Sequence, residues 1–286
     1  GRWALNLSYN YNTSSNITNG RTRRTDLSPE GTAGYFEQDT ESRFRRSMNG
    51  GRLGVEWQAS NRNTLSVSQS LRTFGHAGTD KQNFNSLGAG HELIAQGEQI
   101  NGSEGGHMGL TSQILFKHRS PKEGKEWTMD LTYNSGRRDS EASQDLYSYQ
   151  PDGTSTTGAP RLQDNIGSSR NSSYTFQADF VDPLSERTKL EYGLKSHLAP
   201  DRTSLEVLVT SPTFGDQVRD TSLSNTYRIN DNINAAYINW SQKLNANWSI
   251  LAGLRFEQTW FEANVEDKGT YRYHYPDGTN DIGRAL

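Results

Sequence analysis

The sequence predicts an all-β fold, a transmembrane antiparallel up-and-down β-barrel, and three observations lead to that prediction. Apolar residues recur at every second position within short segments, short and long connections alternate between these segments, and aromatic residues gather near the segment ends. A period of two is typical of strands, because successive side chains leave opposite faces of the pleat. We therefore predict a single barrel region over residues 1–286, with about nine strands.

The first strand shows the pattern that the later strands repeat. Trp3, Leu5, Leu7, Tyr9 and Tyr11 share one face, whereas the residues between them are small or polar. An apolar face beside a polar one fits a wall with hydrocarbon outside and water within. The alternation predicts nine strands, at residues 2–12, 50–58, 63–74, 107–117, 126–135, 171–181, 187–198, 232–244 and 247–262.

The connections fall into two classes that alternate along the chain. Four are short and rich in turn-forming residues, at 59–62, 118–125, 182–186 and 245–246. Four are long, polar loops, at 13–49, 75–106, 136–170 and 199–231. This alternation is typical of outer-membrane barrels, with periplasmic turns and extracellular loops. Within the long connections, three segments look like strands extended above the membrane, namely 35–36, 204–209 and 271–275.

Aromatic residues form two belts if the short turns are periplasmic, as expected at the two membrane interfaces. The periplasmic belt contains Trp3, Trp57, Phe116, Trp127, Phe180, Trp240 and Trp248. The outer belt contains Tyr9, Tyr11, Phe74, Tyr133, Tyr174, Phe256 and Trp260. In segment 232–244 two sets compete for the lipid face, and the set Ala236, Ile238 and Trp240 is favoured over Ile233, Ala235 and Tyr237.

The composition excludes several classes of protein. Hydrophobic residues make up only 31% of the chain and the mean hydropathy is −0.89, but the regular placement of the aromatic residues argues against disorder. No segment approaches the roughly 20 apolar residues of a membrane helix. The net charge of −3 gives no sign of a nucleic-acid partner, and the absence of cysteine excludes disulfides and thiolate metal sites. The chain enters a strand at once, so we expect a mature protein or an interior piece of a longer one.

One hairpin resembles a known family. Residues 233–259, and above all the run Ala-Gly-Leu-Arg-Phe-Glu at 252–257, resemble a hairpin of TonB-dependent outer-membrane receptors of the Bacteroidota "outer membrane β-barrel" type. The run Lys-Leu-Glu-Tyr-Gly-Leu-Lys at 189–195 is similar to another strand of that family. The resemblance implies nutrient uptake across the outer membrane of a Gram-negative bacterium, driven by TonB through a plug domain.

The chain also departs from that family. Such receptors have a plug domain and a barrel of about 22 strands, whereas nine strands and no plug are predicted here. We therefore expect a central or C-proximal part of a larger barrel. A tenth strand within 268–286, closing a small barrel, is the competing interpretation.

Candidate ligand-binding residues lie on the predicted lumen face and in the loops. The lumen set is Arg72, Glu191, Lys195, Arg255 and Glu257; it could bind a polar ligand, or serve only as a charged, water-lined wall with local pairs such as Glu191 with Lys195. The loop set is Tyr147, Tyr149, Tyr271, Tyr273 and Tyr275; these rings suit stacking on sugars at the barrel mouth, or they pack the loops together.

Two clusters of arginines suggest a contact with lipopolysaccharide phosphates, since guanidinium groups bind phosphate bidentately. They are Arg21, Arg23 and Arg24, then Arg43, Arg45 and Arg46. The alternative is that Glu37, Asp39 and Glu41 neutralise them. Other expected partners are outer-membrane lipid, TonB and a surface lipoprotein.

No cofactor, metal site or catalytic residue is predicted. Asp152-Gly153-Thr154 and residues 277–281 offer oxygen ligands, but Asp-Gly is chiefly a turn signal. The alternatives to a receptor are a structural or adhesive barrel and a small outer-membrane enzyme, omptin-like or phospholipase-like. The only candidate groups for an enzyme are His91 with Glu92 and His274 with Asp277.

Overall fold

Most of the chain forms one antiparallel β-sheet. The computed structural model describes residues 2–29, 31–156, 160–210, 216–266, 268–275 and 280–283. The strands are β1 (Trp3–Ser28), β2 (Gly31–Gln58), β3 (Asn63–Gly88), β4 (Leu93–Arg119), β5 (Glu126–Tyr149), β6 (Arg161–Pro183), β7 (Thr188–Thr210), β8 (Gln217–Arg219), β9 (Asn225–Lys243), β10 (Ser249–Val265), β11 (Gly269–Tyr275) and β12 (Asn280–Gly283). Each strand pairs with the next, except that β7 pairs with β9 as well as with the short β8. Among the described residues, no helix is long and apolar enough to cross a membrane.

The pairing register places the apolar residues of the strands on one face of the sheet. Residues opposite each other in a ladder leave the sheet on the same side, so a row can be followed from strand to strand. One row runs across nine strands through Trp3, Trp57, Leu65, Phe116, Met129, Ala178, Leu194, Ala236 and Phe256. We call this side of the sheet the apolar face and the other side the lumen face.

The apolar face is not covered by a second layer in the described part of the chain. Leu7 and Leu254 are each 78% exposed, and among the residues whose burial is described the buried hydrophobic ones are Ala178, Val207 and Ala235. A water-soluble sandwich would gather its Trp, Leu and Phe side chains between two sheets. Exposed apolar rows on a single sheet are instead typical of a surface that faces lipid.

The structure confirms the nine predicted strand segments and the short turns between them. To within two residues at their ends, the segments lie in β1–β7, β9 and β10, and the turns lie at 59–62, 120–125, 184–187 and 244–248. The choice made for segment 232–244 is also confirmed, because Ile238 lies opposite Tyr192 and Leu254 on the apolar face.

The prediction of four long loops is wrong, because most of those residues continue the strands. β1 and β2 remain paired as far as Ser28 and Gly31. β1 has 26 residues, whereas about 9–11 residues cross a bilayer, so more than half of the strand stands beyond the membrane. There both faces of the sheet meet water, and the apolar alternation that identified the membrane segments is lost.

Within the described residues the sheet has twelve strands rather than about nine. The additional strands are β11, which contains the predicted segment 271–275, and the short strands β8 and β12, which have three and four residues. The segments 35–36, 204–209 and 271–275, predicted as strands above the membrane, lie in β2, β7 and β11, and this prediction is confirmed.

The two edges of the sheet differ greatly in length. Among the described residues β1 pairs only with β2, and β12, which has four residues, pairs only with β11. The sheet therefore does not close on itself within the described part of the chain, and the competing interpretation of a small closed barrel is not what this structure contains.

Candidate functional site

The predicted lumen-facing charges all lie on the lumen face, but they do not form one site. Lys195 lies opposite Ala235, which lies opposite Glu257 on β10, so these residues share a row. Arg255 lies on the same strand as Glu257 and pairs with it at 2.7 Å. Arg72 lies on β3, with the three strands β4–β6 between it and β7.

The predicted pairing of Glu191 with Lys195 is wrong. Glu191 pairs with Lys189 at 2.6 Å. Residues four apart on a strand are separated by about 13 Å along it, whereas residues two apart share a face at half that distance. The neighbouring carboxylates Glu191 and Glu257 pair with Lys189 and Arg255. The ion pairs of the described residues include none for Lys195.

A groove on the lumen face surrounds Arg72. Its volume is about 670 Å³, and we call it the Arg72 groove. The lumen-face residues that line it are Met48, Ser70, Arg72, Phe74, His107, Gly109, Thr111, Asn134, Gly136 and Asn171. It therefore combines a cation, an imidazole, two amides and an aromatic ring, which are groups that bind a polar ligand through hydrogen bonds and ring contacts.

Glycines on the neighbouring strands leave the Arg72 side chain room. Arg72 lies opposite Gly50 on β2 and Gly109 on β4, so no side chain stands beside it in either direction. Arg72 is exposed, and in the described part of the chain it forms no ion pair within 4 Å. A guanidinium group without a carboxylate partner retains its full attraction for an anionic group of a ligand.

Two amide side chains lie at the far end of the groove, and hydrogen bonds hold one of them, Asn134, in place. Asn134 accepts a hydrogen bond from Thr111 Oγ1 at 2.8 Å and donates one to Ser173 Oγ at 3.1 Å. Asn171 folds over Gly136, where a Cβ atom would collide with its amide oxygen. The Asn134 amide is thus fixed by hydrogen bonds before a ligand arrives.

Aromatic rings continue the lumen face above the groove. The His76 ring stacks with Phe44 and Phe74 at centroid distances of 6.1 and 5.8 Å. The prediction that Phe74 belongs to the outer lipid-facing belt is wrong, because Phe74 lies opposite Met48 and His107 on the lumen face. The sequence analysis did not identify this aromatic group, although the spacing within the strand indicates it. Phe74 is an odd number of residues from Leu65 and Leu71, so its side chain leaves the opposite face of the sheet.

The five candidate tyrosines do not form one cluster. Tyr147 and Tyr149 lie opposite Glu98 and Gln96, on the apolar-face side of β5. Residues 271, 273 and 275 lie on the lumen side of β11, where Tyr271 makes an edge contact with Phe261 at 6.3 Å. The two groups leave opposite faces of the sheet, so a single tyrosine surface at the mouth is not formed.

The candidate lipopolysaccharide arginines are also divided between the two faces. The four that lie on the apolar-face side are Arg21, Arg23, Arg43 and Arg45, whereas Arg24 and Arg46 lie on the lumen side. On the outward side, ion pairs join Arg21 to Asp39 at 2.6 Å, Arg23 to Glu37 at 3.4 Å and Arg43 to Glu41 at 2.7 Å.

These ion pairs favour the alternative in which acidic residues neutralise the arginines. A hydrogen bond from Arg21 lowers the pKa of the Asp39 carboxyl, which keeps that carboxylate charged. On the lumen side, Arg24 pairs with Asp26 at 2.8 Å and lies 5.1 Å from the Phe36 ring centroid. Arg46 donates a hydrogen bond to Ser14 Oγ at 2.8 Å.

The remaining candidate groups are engaged in local contacts. His91 stacks on Tyr35 at 4.1 Å and His274 on Trp260 at 5.0 Å, while Asp277 lies outside the described residues. Asp152 accepts hydrogen bonds from the Thr154 backbone and hydroxyl, which lower its pKa and close a turn. Residues 277–279 of the other candidate turn also lie outside the described part. No three His, Cys, Asp or Glu residues within that part could hold a metal ion.

Comparison with known proteins identifies the sheet. The model of the outer membrane protein beta-barrel family matches residues 118–277, which is more than half of the chain. Among solved structures, the chain is similar to the outer membrane protease OmpT from Escherichia coli at 11% sequence identity, over 98% of this chain and 90% of OmpT. The TM-score of that comparison is 0.28, which is too low to carry an argument. No curated relative matches the chain.

Proposed function

Because the chain belongs to the outer membrane protein beta-barrel family, we propose that it forms part of the wall of a TonB-dependent nutrient receptor. The outer membrane of a Gram-negative bacterium is its location. In this proposal the surface-exposed ends of the strands bind the nutrient, and the lumen face gives it a polar path inward. TonB supplies the energy through a plug domain that is not part of this sequence, and a surface lipoprotein helps to deliver the nutrient.

The Arg72 groove is the observation that carries the proposal. It is a water-facing groove of about 670 Å³, with an exposed guanidinium group, the amide of Asn171, and the amide of Asn134 held by hydrogen bonds with Thr111 and Ser173. Arginine binds carboxylates bidentately, amides bind hydroxyl groups, and aromatic rings such as Phe74 stack on sugar rings. A polar, anionic nutrient such as an acidic oligosaccharide fits these groups.

The uncovered edge of β1 supports a barrel larger than this sheet. In the membrane, residues 3–11 of β1 present about ten unpaired backbone groups on the edge away from β2, and each such group costs several kcal/mol in hydrocarbon. Pairing with the four residues of β12 would satisfy only part of that edge. Further strands that cover β1 remove this cost.

The experiment that tests the proposal measures uptake by the native host. Cells that carry Arg72→Gln are compared with cells that carry Arg62→Gln, a matched control in the turn at 59–62. Radiolabelled neutral and uronate-containing oligosaccharides are the probes. We expect uptake of the acidic probe to fall about tenfold for Arg72→Gln, as for the loss of one charged hydrogen bond, and to remain normal for Arg62→Gln.

Deletion of TonB separates the transport step from binding. We expect the deletion to abolish uptake of the acidic probe while cells still bind it at the surface. Uptake that continues without TonB would mean a passive pore. Equal uptake by the Arg72→Gln and Arg62→Gln cells would exclude the groove as the path of these probes.

The alternatives are a structural or adhesive barrel and a small enzyme, omptin-like or phospholipase-like. We propose that the chain has no catalytic role. The two candidate catalytic histidines, His91 and His274, each stack on an aromatic ring. A stacking contact does not activate a histidine as a general base. Hydrolysis of a peptide or phospholipid by the purified native protein would contradict this.

A further inference from the structure

A row of four arginines crosses the outward side of the sheet above the membrane segment. Arg137 on β5 lies opposite Arg170 on β6, Arg170 lies opposite Arg202 on β7, and Arg202 lies opposite Arg228 on β9. Because Arg137 is an even number of residues from Tyr133, the row leaves the sheet on the apolar-face side. Neighbouring strands lie about 4.8 Å apart, so the four positions span about 15 Å.

The row carries more positive charge than its surroundings neutralise. Arg137 pairs with Asp139 at 2.7 Å. The ion pairs of the described residues include none for Arg170, Arg202 or Arg228, all of which are exposed. The side chain of the nearby Asp201 lies on the lumen face, on the opposite side of the sheet from the arginine row. Like charges directly opposite each other destabilise a sheet, so this arrangement favours a bound anion.

The arginines line a groove that can receive such an anion. The groove has a volume of about 590 Å³, and Ser135, Ser172 and Pro200 also line it. These small side chains lie between the arginine row and the tyrosines at the top of the apolar face. An anion in the groove therefore has access to several guanidinium groups at once.

The distance of the row from the aromatic belt matches the depth of lipid headgroups. Arg137 lies four residues beyond Tyr133, and Arg170 lies four residues beyond Tyr174; these two tyrosine rings contact each other at 4.9 Å. Four residues correspond to about 13 Å along a strand, or on the order of 10 Å above the belt after the tilt of the strands. Interfacial tyrosines sit at the headgroup level, and the arginines reach its outer part.

We propose that this arginine row, formed by Arg137, Arg170, Arg202 and Arg228, binds the phosphate groups of the outer-leaflet glycolipid, lipid A. Guanidinium groups bind phosphate bidentately, and a row of this length suits a headgroup with two phosphates. The site differs from the outward side of the β1–β2 hairpin, where Arg21, Arg23 and Arg43 already have carboxylate partners. It is independent of transport, because it lies on the outside of the wall.

The test compares binding of diphosphoryl lipid A to two charge-matched variants of the native protein in neutral detergent, by native mass spectrometry. The row variant is Arg170→Gln with Arg202→Gln. The control is Arg46→Gln with Arg138→Gln, two lumen-side residues that remove the same charge. We expect the row variant to bind at least about tenfold more weakly and the control to bind like the unaltered protein. Equal binding by the two variants, whether weakened or not, would overturn the proposal.

Two further arms identify the ligand and exclude misfolding. Inorganic pyrophosphate in large excess should not displace lipid A; displacement would assign the row to a soluble phosphate and overturn the lipid assignment. Circular dichroism monitors the fold of each variant. If the glutamine variant does not fold, Arg170→Lys with Arg202→Lys replaces it, and binding equal to that of the unaltered protein would exclude bidentate recognition by these arginines.

Discussion

Tyr237 donates a hydrogen bond to Asp179 Oδ1 at 2.6 Å, although their strands, β9 and β6, do not pair with each other. Gly193 of β7 lies between them and opposite both residues. A Cβ atom on this glycine would stand 2.6 Å from Tyr237 Cε1, so only glycine lets the ring cross β7. The bond thus ties three consecutive strands of the lumen face together.

Removing the hydroxyl should destabilise the sheet. We expect Tyr237→Phe to lower the free energy of unfolding by about 1.5–3 kcal/mol, the range for a hydrogen bond to a charged group. Among the described residues, Asp179 then keeps one side-chain hydrogen bond, from Gln177 at 2.8 Å. The measurement is urea unfolding in lipid vesicles. Tyr227→Phe, on the lumen side of the same strand, is the control and should change stability little. An equal effect of both variants would mean that the bond to Asp179 contributes nothing.

The two faces of β5 should respond differently to the same substitution. Leu131 is 48% exposed on the apolar face, opposite Ile114 and Phe176. Leu131→Arg should cost about 2–4 kcal/mol, as for a charge facing the bilayer midplane. Thr132→Arg, on the lumen face, should be tolerated. The free energy of unfolding in vesicles checks both; a stable Leu131→Arg beside an unstable Thr132→Arg would reverse the assignment of the faces.

The sequence predicted which residues face lipid and which face the lumen within the membrane. It did not predict how far the paired strands extend beyond the membrane. In residues 3–11 the outward positions meet lipid and are apolar, so the alternation is visible. In residues 13–28 both faces meet water, and Thr, Ser, Asn and Arg occupy both. Strand pairing by backbone hydrogen bonds does not require particular side chains, so it cannot be recognised from the composition. The sequence pattern alone therefore predicts loops here.

The candidate sites depend on the pairing register between neighbouring strands, which cannot be determined from the sequence alone. The alternation along one strand was enough to place Arg72 on the lumen face. The groove around it also includes Gly109 and Asn134, which belong to two other strands. The row of arginines was missed for the same reason: Arg170 and Arg202 belong to no common motif, and only the pairing of β6 with β7 brings them together.

Filling the Arg72 groove should block the ligand without unfolding the protein. A Cβ atom at Gly109 meets only the end of the His107 side chain, at 3.3 Å. We therefore expect Gly109→Phe to assemble normally and to reduce uptake of the acidic oligosaccharide. The amount of folded protein in the membrane and the uptake rate check this. Gly51→Phe, on the apolar-face side of β2, is the control; reduced uptake in both would show a general effect of added bulk.

Acid should loosen the outer half of the β1–β2 hairpin. The hydrogen bond from Arg21 lowers the pKa of Asp39. A carboxyl whose pKa is lower in the folded protein stabilises the fold above its ordinary pKa, and this contribution is lost as the pH falls through the lowered value. Hydrogen-exchange protection in residues 13–28 should therefore fall below about pH 4. The loss should be smaller in Arg21→Gln; the same loss in both proteins would mean that another group causes it.

External proteases should cut this protein at few places. β1 through β4 are paired almost to their ends, and a paired strand does not fit a protease cleft. We expect cuts at the tips around 89–92 and 150–156, identified by mass spectrometry of peptides released from intact cells. Cuts within 14–27 would contradict the paired structure of that hairpin, and cuts only at 120–125 would mean that the sheet is inserted in the opposite direction.

The extension of the paired strands beyond the membrane has a consequence for the proposed binding of a nutrient. In a mobile loop, binding must restrict the backbone, and that lost freedom weakens affinity. Here the hydrogen bonds between β1, β2, β3 and β4 have already fixed the backbone before any encounter. If the chain is a receptor wall as proposed, discrimination between nutrients depends on individual side chains on a preformed scaffold. Single substitutions would then change which nutrient is bound and leave the architecture untouched.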